Sequence, residues 1–118
     1  MDLMCLALMI FLEARGEPLP GQYAVGQVIL NRVASEEFPD TVCGVVQQPG
    51  QFAPIVYKRG AIVERSVAAL VATDLYLRYR PNTEVLWFYN PKNASPSWAR
   101  KLTPAFEIGG HLFLKRKP

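Results

Sequence analysis

Leu3-Met4-Cys5-Leu6-Ala7-Leu8-Met9-Ile10-Phe11-Leu12 is an unbroken run of ten apolar residues, and it ends in Glu13-Ala14-Arg15-Gly16-Glu17-Pro18. A helix that is apolar all round belongs in the centre of a core. Asp2 suits its N-cap, and Gly16 and Pro18 stop it near Ala14. The run has the length of a signal-peptide h-region, but the residue before it is Asp2 rather than a base, and no small-x-small cleavage site precedes Glu13. It is also far short of the roughly 20 residues of a membrane-spanning helix. The expectation is a buried helix of the mature domain, with no export signal of its own and no stable membrane insertion.

Working outward, Tyr23, Val25, Val28, Ile29 and Val33 trace a helical stripe over Gln22 to about Ala34. Phe38-Pro39-Asp40 breaks the chain, and Asp40 is placed to cap a short helix through Val46. Gln47 to Pro54 reads as a loop by its Pro and Gly content. A third long helix is expected over Ala61 to Tyr79, where Val63, Val67, Leu70, Val71, Leu75 and Arg78 keep the period and Pro81-Asn82 ends it. Val85 to Tyr89 and His111 to Leu114 carry strand signals, the latter after Gly109-Gly110, and are expected to pair. Pro91 to Pro104 reads as an ordered surface loop. Helices first and a small late sheet predict an α+β fold, in one domain spanning 1–118.

The 118 residues are half apolar and 19% charged, a globular composition that excludes disorder. Bases exceed acids by 13 to 10, with Arg100, Lys101, Lys115, Arg116 and Lys117 near the end. Such a surface suits polyanions such as cell wall, outer-membrane lipid or nucleic acid, or merely keeps the protein soluble. Cys5 reads as a small core residue, and sequence leaves open whether it pairs with Cys43. His111 is the only histidine, so no His/Cys cluster suggests a metal, and no cofactor is expected.

Glu13 is the leading candidate for chemistry. A carboxyl at the lip of an apolar wall keeps its proton to higher pH, and near neutrality it then serves as a general acid. That is the chemistry of glycosidic bond cleavage. The plain alternative is a helix-terminal acid paired with Arg15. Glu17 is either an assisting carboxylate beside Glu13 or a ligand for loop backbone. Gly16 and Pro18 interrupt the helix between the two and favour the structural role. Gln51, Phe52, Tyr89, Asn90 and Trp98 are the types that line carbohydrate clefts, where rings stack on sugar faces and amides bond hydroxyls. Of Trp87 and Phe88, which alternate along a strand, one is expected to face the core. His111 lacks a Ser or Cys and Asp arrangement around it, and a structural role is preferred.

At these positions the chain resembles the catalytic domain of the spore cortex-lytic, SleB/CwlJ-type cell-wall hydrolase family. The resemblance is carried by Glu13-Ala14-Arg15-Gly16-Glu17-Pro18, by Gly21-Gln22, Ala24-Val25 and Val28-Ile29-Leu30-Asn31-Arg32-Val33, and by Phe38-Pro39, Val42 and Gln51-Phe52. It continues through Phe88-Tyr89-Asn90-Pro91, Trp98 and Gly110-His111 with Phe113. Ala53 stands where the family commonly has Ser, and Pro54 to Arg59 does not align. The resemblance implies a lysozyme-like, lytic-transglycosylase-like domain that cleaves peptidoglycan, with the first Glu of the motif, here Glu13, as the general acid. With one catalytic carboxylate, the muramic acid 6-hydroxyl attacks internally and leaves a 1,6-anhydro end; a hydrolytic muramidase needs a second carboxylate.

The peptidoglycan glycan strand is therefore the expected partner and the cell wall the place of action. Without a signal peptide, synthesis in the cytoplasm and release by another route are expected, as for a phage endolysin passing through a holin, or a start site truncated from a longer bacterial protein. Two rival readings remain. An inactive wall-binding module has little use for an acid at an apolar wall. A nucleic-acid-binding domain would interleave its bases with aromatics on one helix, which this chain does not do.

Overall fold

The computed structural model describes residues 2–48 and 66–118. Helix α1 (Asp2–Ala14) forms as its sequence dictates, with Cys5 through Ile10 and Ala14 all buried. Around it pack α2 (Leu19–Ala34), α3 (Val42–Val46) and α4 (Val67–Arg78). Each fully buried Leu, Ile or Met of α1 contributes roughly 1.5–3 kcal/mol by leaving water, which explains why the most apolar segment takes the central place. Gly26 on α2 is where three helices meet: a Cβ there would run into the side chains of Leu75 and Ile10.

The helix ends depart from expectation in instructive ways. Asp2 lies inside the first turn of α1, and its carboxylate accepts hydrogen bonds from the Val42 and Cys43 backbone N–H groups at 3.4 and 3.3 Å. It thus serves the start of α3 rather than its own helix. Thr41, not Asp40, caps α3, its hydroxyl accepting from Gly44 N–H at 3.0 Å. Helix α2 begins three residues earlier than the apolar stripe does, because Pro18 and Pro20 pre-set its first turn and lose no hydrogen bond there. Ser66 caps α4 and Tyr79 ends it; the expected segment 61–65 of that helix lies outside the described residues.

Cys5 and Cys43 form a disulfide that joins α1 to α3 across a sequence separation of 38. Cys5 is the small core residue its surroundings suggested, and it is also half of a covalent tie. A loop of that length is worth up to about 4 kcal/mol in the chain-entropy picture.

Three strands complete the α+β architecture: β1 (Val85–Tyr89), β2 (Leu102–Ile108) and β3 (His111–Arg116), antiparallel in the order β1-β3-β2. The expected pairing of β1 with β3 is present, with Phe88 opposite Phe113 and Tyr89 opposite Leu112. The expected loop to Pro104 is not. Its second part is a 3-10 helix over Ser97–Lys101, and Leu102 already belongs to β2. Thr-Pro-Ala hides the strand because Pro104 cannot donate to a ladder. Here it sits on an edge strand, and a bulge follows between Pro104 and Phe106.

The Leu-Asn-Arg-Val segment of α2 clamps helices to sheet. Asn31, 2% exposed, donates from Nδ2 to Val85 O at 2.9 Å and accepts at Oδ1 from Tyr79 OH and Asn82 N–H at 2.9 and 3.0 Å. Arg32 donates from Nε to Leu86 O at 2.7 Å with its guanidinium over the Phe38 ring, and burial lowers its pKa to about 10.

Candidate active site

Glu13 is the penultimate residue of α1 and half-buried. The chain then turns sharply through Gly16, whose φ of +84° is a left-handed conformation that a side chain would strain. Glu17 N–H donates to Ala14 O at 3.0 Å, and Glu17 O accepts from Gln22 Nε2 at 3.1 Å. The backbone just after Glu13 is therefore tied both to α1 and to the first turn of α2. Beside it a cavity of about 240 Å3 is lined by Phe11, Arg15, Gly16, Gln22, Ser66, Val67 and Ala68. Arg15 does more there than balance charge: its guanidinium lies 5.1 Å from the Phe11 ring centroid.

Glu17 reaches across to the sheet. Its Oε1 accepts from Gly110 N–H at 2.7 Å, and a Cβ on Gly109, where φ is +57°, would collide with the same carboxylate. This is the structural role expected of it: a carboxylate holding the Gly109-Gly110 turn between β2 and β3. His111 follows that turn, buried at 6% exposure. Its Nδ1 stands 4.0 Å from Glu17 Oε1, too far for a hydrogen bond, and has no hydrogen-bond partner among the described residues. Its ring meets Phe88 edge-on at 5.2 Å. The structural reading of His111 agrees with that packing.

The sugar-binding candidates divide. Gln51 and Phe52 lie outside the described residues. Tyr89 and Trp98 come together, ring centroids 5.8 Å apart and nearly perpendicular, with Trp98 42% exposed. Asn90 stands next to the Gly109-Gly110 turn, and its Oδ1 is taken by Lys92 N–H at 2.9 Å, so its carbonyl oxygen shapes the turn after β1. Trp87 packs edge-on against Phe38 with Arg116 over its face, while Phe88 packs against the core. From the sequence, Gln22 and the two turn glycines had no part in the site; the only signal was the place of Gln22 and Gly110 in the family pattern. Among the described residues no three His, Cys, Asp or Glu side chains converge as a metal cage.

The sequence from Gly16 to Leu114, which carries Glu17, the glycine turn it bonds and the Tyr–Trp pair, matches the cell wall hydrolase family model. The chain belongs to the cell wall hydrolase family. Within that family it is 34% identical over 114 residues to a spore cortex-lytic enzyme of Bacillus cereus, an alignment covering 97% of this chain and 44% of the relative. The chain thus spans less than half the length of that relative. Two solved structures share the fold. One is the catalytic domain of the germination-specific lytic transglycosylase SleB from Bacillus anthracis, at 34% identity and a TM-score of 0.76, covering 97% of this chain and 93% of that one. The other is the catalytic domain of the Bacillus cereus SleB protein, at 33% identity and a TM-score of 0.78, covering 97% and 89%. No helix among the described residues is long and apolar enough to cross a membrane.

Proposed function

We propose that this domain cleaves the β-1,4 bond between N-acetylmuramic acid and N-acetylglucosamine in peptidoglycan, with Glu13 as general acid and then base. The observation that carries the reading is the position of Glu13: half-buried at the end of a helix whose preceding residues fill the core, beside a turn fixed at Gly16 and Glu17. In the first step Glu13 protonates the glycosidic oxygen as the bond to the muramic C1 breaks. In the second, the resulting carboxylate takes the proton of the attacking group.

The nucleophile is the substrate's own 6-hydroxyl, which closes a 1,6-anhydro ring on the muramic residue. A hydrolase of the retaining or inverting kind uses a second carboxylate about 5–9.5 Å from the acid. Glu17, the nearest in sequence, is engaged with Gly110 N–H. Glu37 is paired with Arg116, and Asp74 with Tyr23 and Arg78. These engagements favour the lytic transglycosylase over the muramidase. The exposed Trp98, braced by Tyr89, offers a ring to a sugar face.

A zymogram on purified peptidoglycan tests the assignment. Glu13→Gln keeps the shape and removes the transferable proton, and is expected to abolish clearing while the melting temperature holds. Clearing at near-parental rate would remove Glu13 from the mechanism.

A further inference from the structure

Strand register gathers exposed cations at one end of the sheet. From Lys92 to the C terminus the sequence has six bases and a single acid, Glu107, which pairs with Leu112 towards the Gly109-Gly110 end. At the opposite end Leu102 pairs with Arg116, so Lys101 is followed into the ladder directly across from where Lys117 leaves it. Arg100, Lys101 and Lys117 are exposed, and no carboxylate among the described residues forms an ion pair with any of them. Arg116 is different: its guanidinium lies over Trp87 and is bonded to Glu37.

These three cations continue from the aromatic pair. Trp98, Arg100 and Lys101 share the short 3-10 helix Ser97–Lys101, which advances about 2 Å per residue, so Lys101 lies roughly 6 Å along its axis from Trp98. A glycan strand resting on Trp98 brings with it the peptide stems attached to its muramic residues, and those stems carry free carboxylates. We propose that Arg100, Lys101 and Lys117 form a docking surface for these stem carboxylates, holding the domain on intact wall. The proposal rests on the glycan-strand reading above and adds the charged part of the same polymer. Exposed Lys and Arg act here as screened point charges, so their effect is on capture and residence and weakens with salt. Phosphate-bearing wall polymers offer anions too, and the test is therefore made on wall freed of them.

The test uses Glu13→Gln protein co-sedimented with insoluble peptidoglycan freed of phosphate polymers, at rising salt. Against that background, Arg100→Glu/Lys101→Glu/Lys117→Glu is expected to lower binding on the order of 10-fold at low salt and to flatten its salt dependence. The neutral version with Gln at all three positions should fall between, and both should melt with the parent. Amidating the free carboxyls of the wall should bring parental binding down to the level of the triple variant. Arg80→Glu, an exposed change just past α4, should bind as the parent does. Unchanged sedimentation of the triple variant, no effect of amidation, or binding only to wall that retains phosphate polymers would each overturn the proposal. Sugar released by the Glu13→Gln protein is scored separately in the supernatant and counts against Glu13, not against this surface.

Discussion

The two most recognisable segments of the chain, Glu13 to Pro18 and Leu30 to Val33, place polar groups in opposite circumstances. Asn31 and Arg32 are 2% and 3% exposed and bond to the carbonyls at the start of β1. Glu13 and Glu17 are half-buried at the end of a helix and in the turn after it. A buried polar side chain whose bonds go to backbone holds a fold together, because removing it strands its partners away from water. A half-buried carboxylate at an element end keeps one side open to a substrate. Both segments carry the family resemblance, and their surroundings are what set the buried scaffold pair apart from the segment proposed for the chemistry.

The sharpest way to break this contrast is at Glu13. Glu13→Gln should lower wall-cleaving activity on the order of 100- to 10,000-fold, the usual range for a lost general acid, with no loss of stability. The mirror-image result belongs to Asn31. Asn31→Ala leaves Val85 O, Tyr79 OH and Asn82 N–H without their partner, and should cost about 2–4 kcal/mol in denaturant melts. The activity of whatever fraction remains folded should be near parental.

Cys5→Ser with Cys43→Ser removes the tie between α1 and α3 and should cost up to about 4 kcal/mol. A thiol reductant should lower the parental stability by a similar amount and leave the double variant unmoved. Glu17 stands between the two classes. Glu17→Gln exchanges a charged acceptor of Gly110 N–H for a neutral one and should cost about 1 kcal/mol, with a smaller drop in activity than at Glu13.

The smallest effect is on pH dependence. The Tyr23 hydroxyl donates to Asp74 Oδ2 at 2.5 Å, and that bond, helped by Arg78, holds the Asp74 carboxyl below its ordinary value of 3.8. A carboxyl depressed in the folded state contributes stability above its unfolded pKa and loses it as pH falls through the folded one. Tyr23→Phe should therefore lower stability slightly at neutral pH and little in acid, so that the fall in stability seen by acid titration below about pH 4 becomes smaller.

Much of the fold was legible because its strongest signals are local. The run Leu3 to Leu12 and the stripe from Tyr23 to Val33 each specify a helix without reference to the rest, and β-branched and aromatic residues mark β1. What stayed hidden depended on partners far along the chain. Asp2 looks like a cap for its own helix until α3 arrives 40 residues later. The Cys5–Cys43 bond needs the packing of α1 on α3. Strand β2 is masked by Pro104, which only an edge position tolerates. At the site, Glu17 was legible as a structural acid from the glycine and proline around it. Its partner Gly110 was not, since 93 residues separate them. The bond from Lys92 N–H to Asn90 Oδ1, made within two residues, is likewise one that residue type alone does not reveal.

The most direct test is mass spectrometry of the soluble products released from defined peptidoglycan by the parent and by the Glu13→Gln protein. If Glu13 supplies the proton and the muramic 6-hydroxyl attacks, the parent yields fragments ending in 1,6-anhydromuramic acid, lighter than hydrolysed ends by one water, and the variant yields none. Anhydro ends released by the variant at the parental rate would contradict the role given to Glu13, and hydrated ends from the parent would contradict the internal attack.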